Sequence, residues 1–433
     1  MIRILKVIIL LLISACSLNS SSSLWTKHKK LNYEKSLNIR EINSKKEIIK
    51  NEINSNIKIK LINKNNSSET ISGLSNNSGI INYDGQLKKV SKYNFSKIKY
   101  FNQYEPEIIL YDNNLIFFNN KGTIINFKEN SKLLWKKNYY SKSERKNNPV
   151  LFFSKGNDSL IVADTLAKYY AINLKTGNLI WSKNNKSPFN SQIKILDDKF
   201  YVVDDSNQIN CFSIKNGDKL WSFKTENTLI KSQKKISIII QDNKIVFSNT
   251  LGDVSALNPI NGRLLWQTPT QNKSVYEDAM FLKISDLIFS ENSILFSNNM
   301  NEFFSIDLKT GILNWKQLVN SSLRPTKVNE FIFTVSDEGF LVVIDFKTGS
   351  IIRSTDLFKN FKKKKRKKIK PTGFIVGNKN IYLSTSNGRL LIVDVETGNT
   401  QSVIKLDNEK LSRPIASKQS LFIAKNNSII KLN

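Results

Sequence analysis

Side chains suited to chemistry are scarce in this chain: two cysteines, Cys16 and Cys211, and one histidine, His28. A structural zinc centre takes about four converging Cys, His or carboxylate ligands, and a nucleophilic triad needs a histidine beside its nucleophile. His28 stands in Lys27-His28-Lys29-Lys30, where a solvated side chain is expected. Cys211 adjoins Phe212 in an apolar run and reads as a small buried hydrophobe. Asp204, Asp205 and Asp253 fall in or near turns, where carboxylates cap backbone amides; the alternative is a calcium site at one end of the fold. The expectation is therefore a protein with no catalytic residue, no metal and no cofactor.

The other chemistry is electrostatic. Lys and Arg number 66 against 36 Asp and Glu, a formal charge of +30. Either an acidic partner is implied or the excess is compositional, since it accompanies abundant Asn and Ile. Its densest point is Lys362, Lys363, Lys364, Lys365, Arg366, Lys367 and Lys368, inside an insertion over 359–371. Seven like charges repel and must lie in a solvated loop. That loop is either a plain surface excursion or a clamp on anionic lipid headgroups or an acidic patch of a partner, worth about 1 kcal/mol per charge near a membrane. A nucleic-acid signal has the same composition, but an export signal argues against it.

That export signal is at the N-terminus. Arg3 and Lys6 precede the apolar run Val7–Ile13, too short for the ~20 residues of a membrane-spanning helix, so residues 1–15 read as a cleaved signal peptide. Ile13, Ser14, Ala15 and Cys16 resemble the lipobox of bacterial lipoproteins, which implies lipid transfer to the Cys16 thiol and cleavage before it. In such lipoproteins an Asp after the Cys favours inner-membrane retention. Ser17 occupies that position, so the resemblance points to the periplasmic face of the outer membrane. Residues 16–85, rich in Ser, Asn and Lys, read as a lipidated, flexible tether.

Beyond it the chain repeats. Ile172-Asn-Leu-Lys-Thr-Gly177-Asn-Leu-Ile-Trp181 recurs around Gly217 with Trp221, Gly262 with Trp266, and Gly311 with Trp315. Gly349 and Gly398 keep the turn and lose the Trp, whereas a degenerate copy ending at Trp135 keeps the Trp and lacks the Gly. The six glycines are 40, 45, 49, 38 and 49 residues apart. A period in the forties with four short β-rich runs per unit marks a β-propeller blade. Each Gly supplies the positive φ of a tight turn, and each Trp, on the outermost strand, is expected to fill the joint with the neighbouring blade. Seven units end near Trp135, Trp181, Trp221, Trp266, Trp315, Arg353 and Ser402, and an eighth has only three strands before Asn433. A ring tolerates no open edge there, so Leu87 to Ser96 should supply the missing strand. The expected fold is all-β: an eight-bladed propeller of four-stranded antiparallel blades over 86–433, closed by both ends of the chain.

The pattern Asp-x-x-Thr-Gly-x-x-x-Trp, best kept around Gly311, resembles the pyrroloquinoline-quinone-type propeller repeat. With a lipobox and a tether, the whole mature chain resembles the BamB family of outer-membrane assembly lipoproteins. That resemblance implies a non-enzymatic scaffold of the β-barrel assembly machinery, which binds the periplasmic domains of a BamA-like barrel protein beside other subunits of the machinery. It also implies a propeller that is itself monomeric, anchored by lipid, with no nucleic-acid partner. The rival readings are a periplasmic quinone-dependent dehydrogenase, whose adjacent cysteine pair this chain lacks, and a propeller lipoprotein that binds polyanions through its basic loop.

Overall fold

The computed structural model describes residues 49–61, 70–71, 75–77, 79–83, 85–99, 101, 107–226, 230–271 and 281–433. The signal peptide, Cys16, Ser17, His28 and most of the expected tether lie outside them. The described residues form eight antiparallel blades. Seven are consecutive four-stranded units over 109–137, 151–184, 194–224, 238–268, 288–317, 326–356 and 371–405. The eighth combines Ile415–Ser417, Ser420–Lys425 and Ser428–Leu432 with Lys89–Asn94 as its outermost strand. Lys92 stands opposite Ile430 in that last ladder, so the ring is closed by both ends of the chain, as the missing-strand argument requires.

Burial follows from the architecture. The second and third strands of each blade are sandwiched between neighbouring blades, so they read as unbroken apolar runs. Leu115–Phe118, Leu160–Ala163 and Phe200–Val203 are buried along their whole length. Outermost strands alternate between half-buried and exposed residues, as in Leu179–Asn184 and Lys219–Lys224. Phe117, Ile161, Val202, Phe247 and Phe296 are fully enclosed, which places one core layer between each pair of blades.

The region read as a tether to residue 85 departs from that reading wherever it is described. Ile80 and Ile81 pair in parallel with Val376 and Gly377, on the axial side of the seventh blade's innermost strand. Asn76 Nδ2 donates to the carbonyl of Ile240 at 2.9 Å, the amide of Phe289 donates to the carbonyl of Asn76 at 3.0 Å, and Asn77 Nδ2 donates to the carbonyl of Lys327 at 3.0 Å. The described residues of 75–83 therefore lie against the innermost strands of blades four to seven, along the axial wall of the ring. Thr70–Ile71 likewise pair with Ser417 and Ala416 on the axial edge of the eighth blade. The physical reason is that eight innermost strands present unpaired backbone groups to the axis, and an Asn-rich strand carries the donors and acceptors to satisfy them.

Candidate functional site

The repeat residues meet at the blade joints. In seven blades the ladder between third and fourth strands slips by one residue at the same place. Ala171 pairs with Trp181 while Ile172 pairs with Leu179, leaving Ile180 unmatched. A bulge of this kind sharpens the twist and re-aims the next side chain. The Trp that follows it crosses to the next blade: the indole N–H of Trp181 donates to the Ile214 carbonyl at 2.8 Å, Trp221 to Pro259 at 3.1 Å, Trp266 to Leu308 at 3.0 Å and Trp315 to Phe346 at 3.0 Å. Trp135 lies against the turn of Gly177, where the Tyr139 hydroxyl donates to the Gly177 carbonyl.

Each ring covers the turn glycine of the blade it reaches. A Cβ on Gly217, Gly262, Gly311 or Gly349 would fall within 2.7 Å of the incoming indole, and each of the four has a φ between +71° and +75°. The residue is thus required twice, by backbone and by space. The turn itself is held by its acid: Asp307 Oδ1 accepts from the amides of Lys309 and Thr310 at 2.9 and 2.8 Å and from the Thr310 hydroxyl at 2.8 Å. Desolvation alone would raise the Asp307 carboxyl, but the Thr310 and Lys309 donors outweigh it and hold it below the ordinary value.

At the sixth joint Arg353 stands where the repeat has Trp. It is fully buried, it donates to the carbonyls of Val395 at 3.2 Å and Glu396 in the next blade, and its Nη2 is the atom that a Cβ on Gly398 would meet. Burial pushes its guanidinium down to about 10. A third acceptor is the Ile57 carbonyl at 3.0 Å, so this arginine also ties down the N-terminal segment. That segment runs along the open edge of the sixth blade: Ile53 and Ser354 exchange backbone hydrogen bonds of 3.0 and 2.9 Å, and the Ile59 amide donates to Glu396 at 2.8 Å.

The consequence is a rim. The bulge residue Ile180 is 53% exposed, Leu220 47%, Leu265 44% and Leu134 41%, beside equally exposed Leu133, Leu179 and Leu313. These aliphatic side chains line the outer edges of the first five blades. At the corresponding positions of the sixth blade, Ile351 and Ile352 are half-buried, because the chain's own segment is seated there. The rim can therefore accept an extended, apolar strand by edge pairing.

The basic insertion joins the outermost strand of the sixth blade to the innermost strand of the seventh, on the ring face opposite the glycine turns. Lys363–Arg366 form one helical turn with no buried residue, flanked by Lys362, Lys367 and Lys368, and Arg366 pairs with Asp356. Asp204 accepts from the Ser206 amide at 3.0 Å and from Asn185 Nδ2 at 2.9 Å, and Asp253 from Gln267 Nε2 at 3.1 Å. Cys211 is buried opposite Trp221, and burial raises its thiol to about 12. Among the described residues no three His, Cys, Asp or Glu side chains are placed to hold a metal ion, and no helix is long and apolar enough to cross a membrane. Sequence reasoning missed the bulge, the role of Arg353 and the placement of the described residues before 84; only the bulge left a local mark, at least one aliphatic residue in the two positions before each repeat Trp.

Residues 120–355, more than half the chain, match the family model described as outer membrane protein assembly factor BamB. Curated relatives with that name are 20% identical over 303 residues in Moranella endobia, covering 62% of this chain and 70% of the relative. The Legionella pneumophila relative is 23% identical over 205 residues, covering 45% of this chain and 48% of the relative, and the Shewanella oneidensis relative is 21% identical, covering 58% and 63%. The last two matches span less than two thirds of those relatives. Among solved structures, BamB from Moraxella catarrhalis superposes with a TM-score of 0.67 at 15% identity, covering 80% of this chain and all of that one. A quinohemoprotein alcohol dehydrogenase from Pseudomonas putida HK5 has a TM-score of 0.61 at 10% identity, covering 84% of this chain and 78% of that one, and shares the fold.

Proposed function

Because this chain belongs to the family of outer membrane protein assembly factor BamB, we propose that it is a non-enzymatic scaffold of the outer-membrane β-barrel assembly machinery. It is lipidated at Cys16 and held at the periplasmic face of the outer membrane. There it binds the periplasmic domains of a BamA-like barrel protein, and its basic loop rests on anionic headgroups. The observation that carries this reading is the rim: open outer strands with exposed aliphatic residues on five blades, and on the sixth an extended segment of the chain's own already paired to the edge.

The test is a mild-detergent pull-down of the tagged, lipidated protein from its own membranes, with mass spectrometry of what co-purifies. Recovery of a large barrel protein with periplasmic repeat domains is expected, together with a Cys16→Ser protein that leaves the membrane fraction. Recovery of respiratory partners, or a dye-linked alcohol or sugar oxidation after quinone and calcium are added, would replace the scaffold reading with the dehydrogenase one.

A further inference from the structure

Five of the blade joints are filled by an indole, from Trp135, Trp181, Trp221, Trp266 and Trp315. At the sixth, Arg353 fills the place and binds the Ile57 carbonyl of the N-terminal segment. At the seventh, Ser402 stands opposite Ile392 where the repeat has Trp, and Leu87, Ile404 and Leu406 pack against the core shared by the seventh and eighth blades. The eighth joint, between the closing blade and the first, is different. Its outermost ladder slips between Lys89 and Ser91, so Val90 is the bulge residue and Ser91 holds the Trp position. The turn that a Trp there would cover has Ser131, at φ +62°, in place of glycine. Both signature residues of the joint are absent.

What remains there is space. A groove of about 750 Å³ lies along this joint, with Val90 and Ser91 of the closing strand on one side and Lys128 and Leu134 of the first blade on the other. A second cavity of about 290 Å³, lined by Tyr93, Tyr111 and Phe422, shares Glu129 and Lys431 with the groove. The joint is bridged by polar groups: Lys431 Nζ pairs with Glu129 at 2.7 Å, and the Tyr93 hydroxyl donates to the Glu129 carbonyl at 2.8 Å. Glu129 opens its turn as Leu308 opens the turn after the third strand of the fifth blade, and the Leu308 carbonyl is the one that accepts the Trp266 indole. Tyr93 thus takes over the hydrogen bond of the missing indole. It lines the inner cavity and not the groove, so the apolar volume of an indole is left unfilled between Val90, which is 49% exposed, and Leu134.

The molecule itself supplies the template for what fits. Five joints take an indole at this position, and the sixth blade seats an extended segment on its outer edge through the paired backbones of Ile53 and Ser354. Lys89–Asn94 is likewise the outermost strand of its sheet, with its outer edge unpaired among the described residues. Such an edge accepts a further strand, and an aromatic side chain carried on it buries roughly 150–250 Å². The strand carries Lys89 and Lys92 and the groove Lys128, whereas the one carboxylate lining the groove, Glu129, is already paired with Lys431. The field therefore favours acidic neighbours for the aromatic residue. We propose that the closing joint docks an extended acidic segment of a partner protein, with one aromatic side chain in the place that the repeat gives to Trp. The proposal does not rest on the assembly role.

Fluorescence anisotropy of the full chain in detergent, with the dye-labelled peptide Glu-Thr-Val-Trp-Val-Thr-Glu as probe, tests it. Saturable binding is expected, weakened at least tenfold when the Trp of the peptide is replaced by Ala. Ser91→Trp combined with Ser131→Gly rebuilds the repeat pair inside the joint and should weaken binding of the Trp peptide at least tenfold. Val90→Glu, at an exposed bulge position, should weaken it at least fivefold and reports on the same contact if the rebuilt joint does not fold. Ile180→Glu makes the same charge change at the bulge of the second blade, where Trp181 fills the joint, and should change binding less than twofold. Matched circular dichroism melts establish that the two Glu variants fold. Absence of saturable binding, or equal binding of the Ala peptide, overturns the proposal. So does equal weakening by Val90→Glu and Ile180→Glu, which would show edge pairing without a socket, and so does tighter binding of the peptide with Lys in place of Glu.

Discussion

Trp181 lies across the turn of the next blade so closely that a Cβ on Gly217 would meet its Cε3 and Cζ3 atoms at 2.7 Å. The two most regular residues of the repeat are therefore partners across each joint, not within one unit, and the same geometry recurs from Trp221 to Gly262 and from Trp266 to Gly311.

Gly217→Ala should consequently be destabilising beyond its backbone strain. Positive φ costs a non-glycine residue roughly 1 kcal/mol and overpacking a further ~1–3 kcal/mol, so about 2–4 kcal/mol is expected by denaturant unfolding. In the double variant with Trp181→Leu the two losses should not add. Strict additivity would contradict the pairing.

Arg353 separates two jobs that a tryptophan could not combine. Arg353→Ala leaves the Val395, Glu396 and Ile57 carbonyls short of a donor and should cost on the order of 2–4 kcal/mol. Arg353→Trp restores the repeat side chain over Gly398 and should recover much of that loss. Amide exchange at Ile53 and Ile59 should nonetheless speed up in both variants, because neither side chain reaches the Ile57 carbonyl; unchanged exchange in the Trp variant would remove the arginine from the anchoring of this segment.

Burial raises the Asp164 carboxyl to about 6 although the Tyr140 hydroxyl and the amides of Lys168 and Leu166 donate to it. The folded state then holds its proton more tightly than the unfolded one, so this contribution is complete below about pH 4 and is lost as pH rises through 6. Asp164→Asn keeps the shape without the titration. Its stability relative to wild type should improve between pH 4 and pH 7 by roughly 2–3 kcal/mol, from ~1.4 kcal/mol per unit. A parallel pair of pH profiles would refute the assignment.

On the rim, Ile180→Asp with Leu265→Asp places two charges on exposed bulge positions, where surface substitutions usually change stability by no more than ~0.5 kcal/mol. The melt should be preserved while recovery of the barrel protein in pull-downs falls at least severalfold. Full recovery would move the contact to another face.

Replacing Lys362, Lys363, Lys364, Lys365, Lys367 and Lys368 with Gln, and leaving Arg366 to its pair with Asp356, should lower association of the unlipidated protein with phosphatidylglycerol vesicles more than tenfold. At about 1 kcal/mol per surface charge the loss is larger still at low salt, and it should vanish on neutral vesicles. A loop that serves only as a connection would leave both unchanged.

What could be read along the chain was whatever depends on near neighbours. Turn glycines, the acid that caps them, β-rich runs of four strands and a period in the forties are local, so the propeller, its eight blades and the need for a closing strand were legible around Gly177 and Gly311. Tertiary structure alone decided which residues share a space. Trp181 finds Gly217 because one blade is laid on the next, and Arg353 substitutes for Trp only because carbonyls from two distant segments converge on it. Ser75 to Tyr83 carry no apolar period, since they satisfy backbone groups around an axis that the completed ring creates. Asp286, Arg324 and Arg413 have no sequence spacing in common, and equal ladder register, a property of paired strands and not of sequence distance, brings the two arginines to bear on one carboxylate.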